Sequence, residues 1–385
     1  MKLLLIGGTG VLSGDVVSLS LENGHTVYIL NRGHHAKLIP KEVILLKANI
    51  KDAATVKNIT KDLHFDVVVD FLSYNELDLR NSLSLFQNRC HQFIFISSAT
   101  AYRRDKLDAC LTEDSPLGNH NWSYSKNKVA CEKYLISKCS ETGLKYTIIR
   151  PYITYGNTRI PYGIMPPYGW HWTFIARLLN NKPIMLWDNG ETICTLTHTS
   201  DFAKGIVGLF GNPKAYNEAF QIVSDERFTW KEVALLIGKL VNKQPVYIEI
   251  PSEYVAKKMP TIKGILLEDR SLDAIFDNSK IKSVVPEFIC TTPLKKGILQ
   301  TIEYYRNNNY LKGIDYKWDA QIDKLIHNYL KKNNPDKLKS LNLKYINYLK
   351  FSFKGKSTYY IYRYFPNAFI KIYELVNKIF LKFIR

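Results

Sequence analysis

Apolar positions in the first hundred residues come in short blocks rather than at helical spacing. Continuous or nearly continuous runs occupy 2–6 (KLLLI), 25–30 (HTVYIL), 43–47 (VILLK), 65–71 (FDVVVDF) and 92–97 (QFIFIS). Blocks of this length, rich in Val, Ile and Leu, suit strands buried on both faces of a parallel sheet. Helical patterns fall between and after them, at 11–21 and from Tyr124 to about Ser140. Alternating strand and helix patterns predict an α/β fold with a doubly wound parallel sheet. Further on, 184–187 and 221–223 read as strands of a smaller α/β domain, with helices over 226–241 and 291–305. The expected organisation is a first domain over 1–155 plus part of 190–225, a discontinuous smaller domain over 156–306, and a basic aromatic helical extension over 307–385.

Chemistry enters at the first strand's end. Gly7, Gly8, Thr9 and Gly10 turn the chain into a helix that opens with Val11 and Leu12. Strand, glycine turn and helix form the phosphate cradle of a Rossmann-type dinucleotide site, where backbone N–H groups and the helix's positive end meet a pyrophosphate. Ser13 stands where a third glycine is usual. After the second strand come Asn31 and Arg32; an acid there would hold the NAD ribose, whereas an arginine suits the 2′-phosphate of NADP. The cofactor is therefore NAD or NADP, with Arg32 favouring NADP. Asn49 and Ile50 are placed to flank the adenine, and Phe71 and Pro151 are further candidate cofactor contacts.

The strand over 92–97 runs into Ser97-Ser98-Ala99-Thr100-Ala101-Tyr102, and a later helix opens with Tyr124-Ser125-Lys126-Asn127-Lys128. Four-residue spacing puts Tyr124 and Lys128 on one helix face, where an ammonium favours tyrosinate and lowers a phenol pKa that is ordinarily about 10. Together with Arg150-Pro151, Tyr155-Gly156 and Leu196-Thr-His198-x-x-Asp201, these segments resemble the extended short-chain dehydrogenases/reductases, the NAD-dependent epimerases and dehydratases, over roughly residues 1–305. The resemblance implies that Tyr124 is the catalytic acid/base, that Lys128 binds the nicotinamide ribose, and that Ser98 hydrogen-bonds the reacting sugar hydroxyl. Its implied substrate is a nucleotide-activated sugar, of the kind used in polysaccharide biosynthesis.

Several positions depart from the family pattern. Ala99 and Thr100 stand where the 4,6-dehydratases carry an Asp-Glu pair, which disfavours dehydration and leaves an epimerase or a 4-keto reductase. Ile153 replaces an asparagine that relatives use toward the sugar nucleotide's phosphates, and Cys194 replaces an arginine. Arg159 and Arg270 are the remaining candidates for that charge, so the substrate-side set is Ser98, Ala99, Thr100, Ile153, Arg159 and Arg270. His198 reads as structural support, and the aromatics Tyr162, Tyr168, Trp170 and Trp172 read as packing.

Composition adds constraints on partners. The formal net charge is +18. Thirteen Lys and Arg against two acids, Asp336 and Glu374, place +11 of it beyond residue 330. Basic helical stretches are expected at 322–332, at 336–348 and after Pro366, where Lys371, Glu374, Lys378, Lys382 and Arg385 form a narrow polar stripe among Phe, Ile, Leu and Val. That last stretch is too charged for an ordinary membrane span. Two readings stand open for it: a peripheral membrane helix, or a helix docked on the protein or on a homodimer partner. Interleaved tyrosines also allow a different function, RNA binding on a dehydrogenase-like fold, against which the Tyr124/Lys128 pair argues. Six cysteines without CxxC spacing predict neither a disulfide framework nor a metal site, and together with the absence of a leader pattern they suggest a cytoplasmic protein.

Overall fold

The computed structural model describes residues 1–35, 39–104, 110–118, 121–347 and 353–383, with side chains described as far as Val376. Seven strands build the main sheet: β1 (Lys2–Ile6), β2 (Thr26–Asn31), β3 (Ile44–Lys47), β4 (Phe65–Asp70), β5 (Cys90–Ile96), β6 (Lys145–Pro151) and β7 (Glu218–Ile222). Their order is β3-β2-β1-β4-β5-β6-β7, and every neighbouring pair is parallel. The chain leaves β1 toward β2 on one side and returns to β4 on the other. At that reversal the connections diverge and open a crevice at the carboxyl ends of β1 and β4.

Alternate residues of the central strands serve opposite helix layers. Leu3, Leu5, Val67, Val69 and Ile94 pack into one core, whereas Leu4, Ile6, Val68, Phe93 and Phe95 pack into the other. None of them is exposed, and burying such a side chain contributes roughly 1.5–3 kcal/mol. Sequence and structure differ at β7. The short apolar run at 221–223 is the end of an edge strand of the main sheet, in register with β6 from Glu218↔Thr147 to Ile222↔Pro151, and not part of a smaller domain. Gln221 masked it. This polar side chain lies fully buried because its amide donates to the Leu111 and Asp277 carbonyls.

Four helices of this body matter below: α1 (Val11–Glu22), α2 (Ala53–Ile59), α3 (Glu76–Phe86) and α4 (Ser123–Thr142). The chain divides into two compact units. The first comprises Met1–Pro161, Thr192–Phe228 and Gly264–Thr301; the second comprises Tyr162–Glu191, Thr229–Lys263 and Ile302–Arg385.

Within the second unit the residues beyond 307 share a core with the 162–191 segment. Arg177 and Lys182 meet Asp319 and Asp323 in a cluster of two cations and two carboxylates with no exposed side chain. Lys182 Nζ lies 2.7 Å from Asp319 and 2.6 Å from Asp323, and Arg177 lies 2.9 Å from Asp323. The Tyr359 hydroxyl donates to Asp323, 2.5 Å away, so the helix Phe353–Tyr364 is tied to the helix Tyr316–Asn333. The helix expected over 336–348 is confined to Pro335–Lys339. Beyond it the Asn342 amide donates to the Asn180 carbonyl while its oxygen takes the Lys344 N–H, and such side-chain bonds compete with a helix. Tyr348, Ile384 and Arg385, which belong to the predicted basic helices, lie outside the described residues.

Removing one carboxylate of the cluster leaves two buried cations facing one anion. Asp323→Ala is expected to destabilise the second unit by roughly 3–5 kcal/mol. Chemical denaturation of the full chain measures this, and a loss below about 1 kcal/mol, the scale of an exposed pair, would contradict the account.

Candidate active site

The glycine turn has the form a pyrophosphate needs. Gly7 and Gly8 adopt φ of 118° and 72°, and a Cβ on Gly8 would lie 2.7 Å from Ile29. The first turn of α1 carries no acid to repel an anion. Ser13 explains its own departure from glycine: the hydroxyl, buried in the turn, accepts the Gly10 N–H at 2.8 Å. One donor of the cradle is thereby used internally. The N–H groups that open any helix lack partners within it, and here they are those of Val11 and Leu12, beside Thr9. The Asn31 amide donates to the Gly7 carbonyl and its oxygen accepts the Gly33 N–H, so Asn31 braces the turn. Arg32 is exposed at the end of β2. Asn49 accepts the Lys51 N–H, and Ile50 packs on the core. Phe71 follows β4 and packs beside the turn, while Pro151 ends β6 as a buried residue. These residues fit a dinucleotide cofactor.

The proposed chemistry residues converge on α4 and the end of β5. Lys128 is buried, and its ammonium donates to the carbonyls of Ser73 and Ile96, each at 2.8 Å. Burial lowers its pKa to about 8, against opposing pulls from Cys131, Asp70 and Glu132. Ser125, beside Tyr124, donates to the Thr100 carbonyl at 2.6 Å. One turn beyond Lys128, Glu132 receives Arg150 at 2.7 Å and the Ser97 hydroxyl. Tyr124, Lys128 and Glu132 thus follow one another at four-residue steps along one face of α4.

Ser98 accepts both the N–H and the hydroxyl of Thr100, at 3.2 and 2.9 Å. With its lone pairs so occupied, its own hydrogen is directed outward as a donor. Tyr124 takes that role's benefit. Burial raises the phenol's pKa, and the hydrogen bond with Ser98 is the largest effect opposing it, followed after the nearby charges by the Arg159 guanidinium. The expectation that Lys128 lowers the phenol's pKa is therefore not met: the net direction is upward, and the ammonium is spent on carbonyl oxygens with the Tyr124 ring centroid 5.9 Å away.

On the substrate side, Ala99 is fully buried and contributes shape alone. Ile153 is buried in a short strand, Ile153–Tyr155, that pairs with Leu196–His198, so it offers no hydrogen bond. Arg159 donates to the Thr154 carbonyl at 3.1 Å. Arg270 and a residue the sequence did not single out, Arg104, both pair with the buried carboxylate of Asp269, and both guanidiniums flank the Tyr152 ring. Nothing in the spacing of 104, 152 and 269 announces this cluster. Glu132 was legible by contrast, as the next four-residue step after Lys128. His198 caps a helix: its Nδ1 accepts the Ser200 N–H at 3.3 Å and sits 2.8 Å from the Ser200 hydroxyl, which agrees with structural support. Tyr162 and Trp172 are buried packing residues; Tyr168 is exposed.

The Lys128 shift has a stability consequence with a definite sign. Its folded pKa of about 8 lies below the ordinary 10.5. Burial of the ammonium therefore costs stability below pH 8, and the cost is relieved as pH rises toward 10.5. The size is on the order of 3 kcal/mol. Buried tyrosines and cysteines act in the opposite direction, so the expected observation is a difference. Relative to Lys128→Met, the native chain gains stability between pH 8 and 10 in urea denaturation, and parallel pH profiles would refute the burial argument.

Residues 78–222 match the NAD dependent epimerase/dehydratase family. The chloroplast stem-loop binding protein of 41 kDa b from Arabidopsis thaliana is 29% identical over 253 residues, which span 62% of each chain. Among solved structures, the UDP-glucose 4-epimerase of Thermotoga maritima, determined with UDP-glucose, superposes with a TM-score of 0.65 at 21% identity, over 80% of this chain and 100% of that one. A UDP-glucuronic acid 4-epimerase from Bacillus cereus, in complex with UDP-glucuronic acid and NAD, also gives 0.65, at 16% identity over 80% and 99%. The seven-stranded order, the glycine turn at its reversal and the matched segment 78–222 agree with a resemblance to the NAD dependent epimerases and dehydratases.

Proposed function

We propose that this chain is an NAD(P)-dependent enzyme that epimerises or reduces a nucleotide-activated sugar at a hydroxyl- or carbonyl-bearing carbon. The observation that carries the reading is the buried Lys128, pinned by two carbonyls one helical turn from Tyr124, with Ser98 at the end of the neighbouring strand, beside the glycine turn. A bound nicotinamide would supply the hydride acceptor or donor. Gly7, Gly8, Thr9, Gly10, Val11 and Leu12 would hold its pyrophosphate, Asn31, Arg32, Asn49 and Ile50 the adenosine end, and Phe71, Pro151, Tyr124 and Lys128 the nicotinamide end.

Tyr124 moves the proton at the sugar oxygen, and Ser98 holds that oxygen by its outward hydrogen. A phenol whose pKa burial has raised is a donor near neutrality, which suits reduction of a keto group; the reverse transfer serves oxidation of the alcohol. The absence of a carboxylate at Ala99 and Thr100 keeps elimination out of reach. Arg104 and Arg270, gathered on Asp269, and Arg159 are the guanidiniums that would meet a diphosphate-bearing substrate. Arg32 supports NADP over NAD.

A second reading has one observation in its favour, the match to the Arabidopsis stem-loop binding protein. Together with the net charge of +18, it supports RNA binding on this fold. The Ser98–Tyr124–Lys128 arrangement has no purpose in that reading.

Turnover of UDP- and dTDP-sugars, followed by product chromatography with NAD or NADPH added, separates the two. Tyr124→Phe is expected to lower kcat by roughly 10²–10⁴-fold while leaving nicotinamide cofactor affinity within a few-fold. Full activity in the variant would remove Tyr124 from the chemistry. Salt-sensitive stem-loop RNA binding with no turnover of any sugar nucleotide would favour the second reading.

A further inference from the structure

The C-terminal helix, Asn367–Phe383, sorts its residues onto two faces. One face is docked on the second unit. Ile370 and Tyr373 pack on a cluster of Ala320, Tyr359 and Tyr362, and the Glu374 carboxylate accepts Lys317 and the Tyr362 hydroxyl, each at 2.7 Å. These contacts lay the helix along the protein rather than letting it project from it. No helix among the described residues is long and apolar enough to cross a membrane.

A second face is apolar and exposed. Phe369, Ile372 and Val376 recur at steps of three and four, which is one helical stripe, with Leu375 beside it and Phe365 just ahead of the helix. Ile372, Leu375 and Val376 are 62, 60 and 52% exposed, and Phe365 and Phe369 stack on each other at 4.7 Å while each remains over 40% exposed. The sequence continues the stripe at Ile379 and Phe383. Along one edge of it lies Lys371, and the sequence repeats lysine beyond it. Lys371 is exposed, and Lys378 and Lys382 follow at steps of seven and four.

We infer that this helix is a preformed dock for an anionic lipid surface, with the apolar stripe entering the headgroup boundary and the basic edge meeting lipid phosphates. The charge pattern selects this occupant. Of the two acids beyond residue 330, Glu374 is engaged with Lys317 and Asp336 lies 3.0 Å from Lys339, so the +11 of this segment has no acidic surface of its own to meet. A second copy seated on the stripe would bring two such tails together without offsetting acids. Nucleic acid is gripped through phosphates and stacked bases, and gains nothing from an aliphatic Ile372-Leu375-Val376 surface. An anionic bilayer satisfies both features, since burial of the apolar face adds to attraction of the lysines. The docked and membrane-facing readings of this helix are then one arrangement seen from two sides.

Co-sedimentation of the full-length chain with vesicles of equimolar phosphatidylcholine and phosphatidylglycerol tests the inference, with pure phosphatidylcholine as reference. The native chain is expected to pellet with the anionic vesicles at low salt, to release as salt rises, and to ignore the neutral ones. Ile372→Glu/Leu375→Glu is expected to weaken binding at least about tenfold. Ile372→Gln/Leu375→Gln, which adds no charge, should also weaken it, with thermal unfolding unchanged in both because these side chains are exposed. Failure of the native chain to bind anionic vesicles would overturn the proposal, as would equal binding by both variants. A dimer in sedimentation velocity that either variant dissociates, without lipid binding, would instead assign the face to a second copy.

Discussion

Lys128 is held by two carbonyl oxygens from neighbouring parts of the sheet, that of Ser73 just beyond β4 and that of Ile96 at the end of β5. An ammonium in a dry environment demands such acceptors, because an unpaired buried charge is expensive. The same helix is fastened again on either side, by Ser125 on Thr100 and by Glu132 on Ser97 and Arg150. Three consecutive turns of α4 are therefore tied to the carboxyl ends of the strands beside the glycine turn. Tyr124, which opens that helix, inherits its position from these bonds.

This fastening also sets the site's electrostatics. Because the ammonium serves the backbone first, the phenol is governed mainly by burial and by Ser98. Thr100 matters here in a way its side chain alone does not suggest. Its N–H and hydroxyl occupy the Ser98 oxygen, which turns Ser98 into a donor aimed away from the strand end. Thr100 therefore fixes the orientation of Ser98 from two residues away.

Much of this was legible because it is local. The strand blocks, the glycine turn and the Tyr124/Lys128 spacing are patterns over ten residues or fewer, and the structure keeps each of them. Ser13 was visible as a departure, but its use as an internal acceptor for Gly10 required coordinates. What the sequence concealed is contact at long range. Gln221 is a polar residue buried near the end of β7, where carbonyls from two distant segments accept its amide N–H groups. Arg104 and Asp269 lie 165 positions apart and have no periodicity that joins them. The helix expected over 336–348 failed for a related reason: Asn342 finds a partner at Asn180, and a tertiary hydrogen bond outweighs helical propensity.

The chain uses positive charge in two physically different ways. Inside, Arg150 faces Glu132, Arg104 and Arg270 share Asp269, and Arg177 and Lys182 face Asp319 and Asp323. These buried cations face buried carboxylates, and Lys128 faces carbonyls. The net charge of +18 lies mostly in the last 55 residues. Screening at physiological salt confines its reach to about 8 Å, so it can act only on what touches that segment. The same reasoning separates Arg270 from the tail lysines. Arg270 lies inside a packed cluster with Arg104 and Asp269, where its partner is fixed by geometry, whereas exposed lysines attract any extended anionic surface and depend on the adjoining apolar stripe to choose among them.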